Sequence, residues 1–81
     1  MKVQVLYFAS LRERLKKSED HCELTPGETI QELAKRLLHE VCPTDFIEHT
    51  LMYGVNDAYV KANYQLQDGD EVSFIPPVAG G

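Results

Sequence analysis

The residues with the plainest chemical potential are the last six, Pro76-Pro77-Val78-Ala79-Gly80-Gly81. A Gly-Gly tip packs nothing and costs backbone entropy when it is fixed. The two prolines, held near about −65° in φ, stiffen the approach to it. Fully extended, the six residues reach about 20 Å. A stiff base and a side-chain-free tip describe an arm made to enter a narrow channel, where a Cβ at position 80 or 81 would meet the walls. What such a tip offers is its terminal carboxylate. A carboxylate is a poor electrophile and must first be activated, for example by adenylation with ATP. A sulfur donor that displaces the adenylate leaves a thiocarboxylate, a strong sulfur nucleophile; an amine attacking instead gives an amide. Either route puts the reacting atom on Gly81. The competing reading is a frayed end with no role.

The other reactive side chains form weaker patterns. His39-x-x-Cys42 and the pair His21-Cys22 supply four metal-ligand types on paper, but no C-x-x-C pair accompanies them, and no metal site is expected. Two cysteines are too few for a disulfide framework or a four-cysteine iron–sulfur centre. His49 has no partner pattern, and nothing local supports a cysteine nucleophile with a histidine base. The opening Met1-Lys2-Val3-Gln4-Val5 has no apolar stretch leading to a cleavage site, so the expected location is the reducing cytoplasm, with free thiols.

Composition narrows the classes further. Eighty-one residues make one small domain. Eight basic against thirteen acidic residues give a net charge of −5, which argues against a nucleic-acid binder that must neutralise phosphates and suits a basic partner surface. A hydrophobic content of 43% fits a folded domain. No apolar run approaches the roughly 20 residues of a membrane span. A chain this small has little wall for a closed active site, and no acid–base or nucleophile constellation appears away from the terminus.

The elements that would position the tail can be read in order. Residues 2–9 alternate as a strand, with Val3, Val5 and Tyr7 on one face and Lys2, Gln4, Leu6 and Phe8 on the other. Ser10 is the expected cap of a short helix to Leu15. A polar turn over 16–20 leads to a brief strand over 21–24, and Thr25-Pro26-Gly27 is a turn signal. Thr29-Ile30-Gln31-Glu32 has the form of a capping box. Ile30, Leu33, Ala34, Leu37, Leu38 and Val41 then mark one face of a helix about 18 Å long, ended ahead of Pro43. A connector spans 44–50, with room for one helical turn after Thr44. Strands follow over 51–55 and 58–61 around an Asn56-Asp57 turn, a helical turn is expected over 64–66, and Asp68-Gly69-Asp70 leads into a last strand over 71–75. The order implies an α+β domain over 1–75, with one main helix packed across a mixed sheet. The first and last strands should be parallel neighbours at its centre, and 76–81 forms a projecting tail. Val3, Val5, Tyr7, Val72 and Phe74 then face the helix. Leu6, Phe8 and Ile75 face away from it, with Tyr59 adjoining them as a docking patch beside the tail. Arg12, Asp68, Asp70 and Glu71 stand as charged contacts at its rim.

These residues carry a resemblance. Val5-Leu6-Tyr7-Phe8-Ala9 with Leu11-Arg12-Glu13, Thr25-Pro26-Gly27-Glu28-Thr29, and Val55-Asn56 with Tyr59-Val60 resemble the molybdopterin synthase small subunit family. The most specific stretch is the ending, Leu66-x-Asp68-Gly69-Asp70-Glu71-Val72-x-Phe74-x-Pro76-Pro77-Val78-x-Gly80-Gly81. Three features depart from the family pattern. No glycine follows the first short helix, so that turn is expected to be built differently. Ile75 stands where an aromatic residue is common, and Tyr59 where an aliphatic one is.

The resemblance implies a ubiquitin-like β-grasp fold and a sulfur carrier of molybdenum cofactor biosynthesis, not catalytic alone. An adenylating and sulfurating enzyme would use ATP to convert Gly81 to a thiocarboxylate; the chain itself would bind no cofactor. The tail would enter the active site of the synthase large subunit and pass sulfur to cyclic pyranopterin monophosphate, forming molybdopterin. By position Gly81 would bear the sulfur and Gly80 would line the tunnel. Pro76, Pro77, Val78 and Ala79 would form the arm, and Phe8, Arg12, Tyr59 and Ile75 would make partner contacts. A heterotetramer about a large-subunit dimer is implied, with neither nucleic acid nor membrane as partner. Two other readings share the fold: a carrier for thiamine or tRNA thiolation or a protein modifier, and a ubiquitin-like binding module whose tail is never activated.

Overall fold

The computed structural model describes residues 1–77; Val78, Ala79, Gly80 and Gly81 lie outside the described residues. Eight elements follow one another: β1 (Lys2–Tyr7), α1 (Ala9–Leu15), β2 (Glu19–Glu23), α2 (Ile30–Leu38), α3 (Thr44–His49), β3 (Met52–Val55), β4 (Ala58–Val60) and β5 (Glu71–Ile75). The strands form one sheet in the order β2-β1-β5-β3-β4. β1 and β5 run parallel at its centre, from Gln4 opposite Glu71 to Tyr7 opposite Phe74. All other pairs are antiparallel.

Strand alternation decides which face is covered. Val3, Val5 and Tyr7 of β1 and Val72 and Phe74 of β5 are buried against the helices, together with Ile30, Leu33, Ala34 and Leu38 of α2. Phe74 is enclosed on both sides by aromatic rings, Tyr7 at 6.2 Å and Tyr53 edge-on at 6.1 Å between centroids. Tyr53 reaches across to donate its hydroxyl proton to the Ile47 carbonyl at 2.7 Å, tying β3 to α3.

The start of α2 is the expected capping box: Glu32 N–H donates to Thr29 Oγ1, and Thr29 N–H donates to Glu32 Oε1 at 2.8 Å. Its end differs from expectation. The helix stops at Leu38, and the chain beyond it tightens into a turn in which the N–H groups of Val41 and Cys42 share the Leu38 carbonyl, at 3.0 and 2.8 Å. Arg14 then takes the Val41 carbonyl at 3.0 Å. Cys42 is thereby buried and Val41 only half-buried. Glu28 at the foot of α2 is buried and holds Arg36 through both carboxylate oxygens at 3.1 Å.

Three further local expectations are corrected. Ser10 does not cap α1; Phe8 stands at the N-cap with no side-chain hydrogen bond, and Ala9, at φ 51°, turns the chain sharply out of β1. Residues 64–66 form no helical turn; Gln65 bridges Thr29 in extended conformation, and Leu66 N–H donates to the Glu28 carbonyl at 3.0 Å. The connector after Pro43 is a short helix, α3, with Ile47 buried. The turn after α1 is made without glycine by placing Lys16 in the left-handed region, at φ 60° and ψ 34°.

A side chain in that region costs roughly 1 kcal/mol relative to glycine. Lys16→Gly should therefore raise stability by about 0.5–1 kcal/mol in urea denaturation, part of the relief being offset by the freer unfolded chain.

A second expectation concerns pH. The Asp20 carboxylate accepts from Tyr7 Oη at 2.8 Å and from Lys17 Nζ at 2.8 Å. Burial pushes this carboxyl up, but the two hydrogen bonds outweigh it and hold it below the usual carboxylate value. A lowered folded pKa stabilises the fold above the unfolded-state value and ceases to do so as pH falls through the folded one. The stability advantage over Asp20→Asn should thus be full above about pH 4 and disappear below it, as read by urea melts across an acid series.

Candidate functional site

Among the described residues no helix covers the other face of the sheet, and its side chains follow from register. Leu6 lies opposite Ser73, Ser73 opposite Gly54, and Gly54 opposite Tyr59, one row across four strands. Ile75 lies opposite Met52 in the next row, and Phe8 follows directly from β1. Phe8, Met52 and Tyr59 are 42%, 44% and 72% exposed, while Leu6 and Ile75 are half-buried. Apart from Met1, these three are the large hydrophobic residues left exposed among the described ones, and they gather on one face. Single exposed hydrophobes carry little meaning; a contiguous set marks an interaction surface.

Within that face Phe8, Tyr59 and Ile75 line one cleft, with Gly54 and Ser73 between them and Asp57 and Ala58 at its far end. The structure thus brings together three of the expected contact residues. Leu6 shares the face without lining the cleft, and Arg12 is exposed on α1. Pro76 is buried with the sheet, and Pro77 is the first exposed residue after β5. The expected reacting residue Gly81, with Gly80, Ala79 and Val78, lies outside the described residues.

The charged rim is corrected. Asp70 is buried, 7% exposed, and its carboxylate accepts from Gln67 N–H at 2.9 Å and Asn56 Nδ2 at 3.1 Å. Asp68 accepts from Lys2 N–H at 2.8 Å. Both carboxylates hold the turn that starts β5 beside β1; Asp70 is thereby withdrawn from the surface, while Asp68 stays exposed.

Sequence reasoning missed five residues of the face, among them Met52, Gly54 and Asp57, with Ala58 and Ser73 completing the cleft lining. The signal for the first two was present, because once Tyr53 and Val55 face the core, alternation sends Met52 and Gly54 outward. Asp57 carried no such signal; its placement depends on the left-handed turn that it forms with Asn56, at φ 51° and 71°.

Elsewhere the chemistry is muted. Cys22 and Cys42 are free, and burial raises both thiols above their ordinary value, which keeps them protonated. Among the described residues no three His, Cys, Asp or Glu side chains converge to hold a metal ion, and no helix is long and apolar enough to cross a membrane.

The ThiS family profile matches residues 5–81. The molybdopterin synthase sulfur carrier subunit of Chlamydomonas reinhardtii is 35% identical over 83 residues, spanning 100% of both chains. A solved small archaeal modifier protein of Haloferax volcanii superposes with a TM-score of 0.82 over 100% of each chain at 19% identity, a likeness of fold alone. The complex of subunits 1 and 2 of the molybdopterin-converting factor of Helicobacter pylori matches with a TM-score of 0.62 and 26% identity, again over 100% of each chain. The architecture is the ubiquitin-like β-grasp, with the parallel β1–β5 pair and α2 across the sheet.

Burial separates the two kinds of residue on this face. Asp70→Ala should cost about 1–3 kcal/mol, since it leaves Gln67 N–H and the Asn56 amide without their acceptor. Tyr59→Ala should change stability by no more than about 0.5 kcal/mol. Paired urea melts check both.

Proposed function

The chain belongs to the ThiS family, and on that premise we propose that it is the sulfur carrier of a molybdopterin synthase. The observation that carries this reading is continuity. β5 ends at Ile75 in the wall of the apolar cleft, and the chain passes from there through Pro76 and Pro77 toward Gly81. The docking face and the reacting terminus are therefore joined by a single short stretch of sequence, from Ile75 to Gly81. A partner seated on Phe8, Tyr59 and Ile75 receives the tail at a fixed distance from its own surface. Full-length likeness to curated sulfur carrier subunits and to a complex of two converting-factor subunits supports this partner class.

In the proposed sequence a Gly81 carboxylate oxygen attacks the α-phosphorus of ATP on an activating enzyme, and pyrophosphate leaves. A sulfide-level donor then adds to the acyl carbon and displaces AMP, leaving the thiocarboxylate. The proline-stiffened arm carries that sulfur into the large subunit, where it bonds to a carbon of cyclic pyranopterin monophosphate; water then cleaves the resulting acyl–sulfur bond, restoring the Gly81 carboxylate and leaving the sulfur on the pterin on the way to molybdopterin. Gly80 and Gly81 leave room for close tunnel walls, and Pro76, Pro77, Val78 and Ala79 span the approach. Leu6 and Arg12 extend the contact beyond the cleft. The domain contributes position and surface, and the pockets belong to its partners, in a heterotetramer built on a large-subunit dimer. The reaction needs no cofactor bound to this chain and proceeds in the cytoplasm.

Intact-mass measurement after incubation with the activating enzyme, ATP and a sulfur donor tests the reading. An oxygen-for-sulfur mass gain on Gly81 is expected, and an unchanged mass under active conditions excludes a carrier. Supplied with the synthase large subunit and cyclic pyranopterin monophosphate, the thiocarboxylated chain should yield molybdopterin. Activity confined to a thiamine or tRNA thiolation assay would reassign the acceptor. Removing Gly81 should abolish transfer while moving the thermal midpoint by less than about 2 °C, since a residue at the chain end contributes little to the core.

A further inference from the structure

The cleft on the open face has two chemically different ends. One end is apolar, formed by Phe8 and Ile75 beside the root of the tail; the other is formed by Asp57, an acidic residue, with Ala58. Asp57 is held there by its neighbour. The Asn56 side chain donates to Asp70 at 3.1 Å and accepts from Glu71 N–H at 3.0 Å, while Asn56 N–H donates to the Glu71 carbonyl at 2.9 Å. The turn is thereby fastened to the start of β5, and the next residue is set at the mouth of the groove in a left-handed conformation. Among the described residues no cationic side chain pairs with Asp57.

Between the two ends the groove is open because position 54 has no side chain. A Cβ on Gly54 would stand 3.6 Å from Ser73 Cβ and the Ala58 carbonyl oxygen and 3.8 Å from Ile75 Cδ1, ordinary contact distances. No crowding and no positive φ therefore require glycine here. What its absence of a side chain provides is depth beside the exposed Tyr59 ring.

We propose that this groove receives one arginine or lysine side chain of the synthase large subunit, with its methylene stem over Gly54 and its cationic head at Asp57. The inference rests on the docking reading above and names the chemistry of one contact within it. An apolar side chain that filled the groove would strip water from Asp57 without replacing it, and an acidic one would be repelled. A basic side chain satisfies both ends, since its stem covers apolar surface while its head meets the charge. The Tyr59 face adds attraction for a cation lying against it. The net charge of −5 draws the same partner chemistry from a distance.

The test is calorimetric titration of the cognate molybdopterin synthase large subunit into the full chain and its Gly54→Ala and Asp57→Asn variants, at low and high salt, with thermal melts alongside. Asparagine accepts the left-handed backbone of position 57, and alanine fits position 54, so both melts should match the wild type. Both variants should weaken binding by about tenfold, and Asp57→Asn should also flatten the salt dependence. Weakening by Gly54→Ala alone overturns the cationic head and makes the occupant apolar. Wild-type affinity and salt dependence in both variants overturn the groove contact and leave the docking reading standing. Absence of wild-type binding overturns the docking reading and the groove contact together.

Discussion

The parallel pairing of β1 with β5 joins the two ends of the chain, and every other feature is arranged around it. A pair so distant in sequence closes a loop of nearly the whole domain, and that entropy must be met before its contacts contribute. The Asp68-Gly69-Asp70 turn provides the fastening. Lys2 N–H donates to Asp68 at 2.8 Å, Gly69 N–H to the Lys2 carbonyl at 2.8 Å, and Gln4 N–H to the Asp70 carbonyl at 3.1 Å. Gly69, at φ 84°, permits the reversal. β5 thus begins already in register, and Val5, Val72 and Phe74 become fully buried beneath α2.

That central pair also divides the molecule by function. The helices take the face bearing Val3, Val5, Tyr7, Val72 and Phe74, which accounts for stability. The opposite face keeps Phe8, Met52 and Tyr59 in solvent, a cost that folding alone gives no reason to retain. Because β5 is central and its last residue, Ile75, leads directly into Pro76 and Pro77, the exposed apolar surface borders the point where the described chain leaves the sheet.

The parts of the fold legible in the sequence were those governed by neighbouring residues. The Thr29–Glu32 capping box, the Ile30/Leu33/Ala34/Leu38 face and the alternation of β1 and β5 each rest on contacts within a few positions. The misread parts were set from afar. The turn that follows α2 is held by Arg14, which donates to the Val41 carbonyl, a contact across 27 positions. Gln65 is extended because Thr29 pairs with it. Asp70 reads as a surface charge until Asn56 and Gln67 close around it. Lys16 takes the left-handed position because β2 must return antiparallel to β1, whatever the residue there prefers.

The sequence by itself determined the capped main helix, the alternation of the central strands and the buried face, because periodicity, capping and residue type act locally. Tertiary structure alone decided that Phe8, Gly54, Asp57, Tyr59 and Ile75 border one cleft. These residues come from three strands, a turn and the residue following β1, and no spacing along the chain encodes their meeting. It is fixed by the register of β3 and β4 against β5, and that register follows from burying Tyr53, Val55, Val72 and Phe74 on the other side of the same sheet.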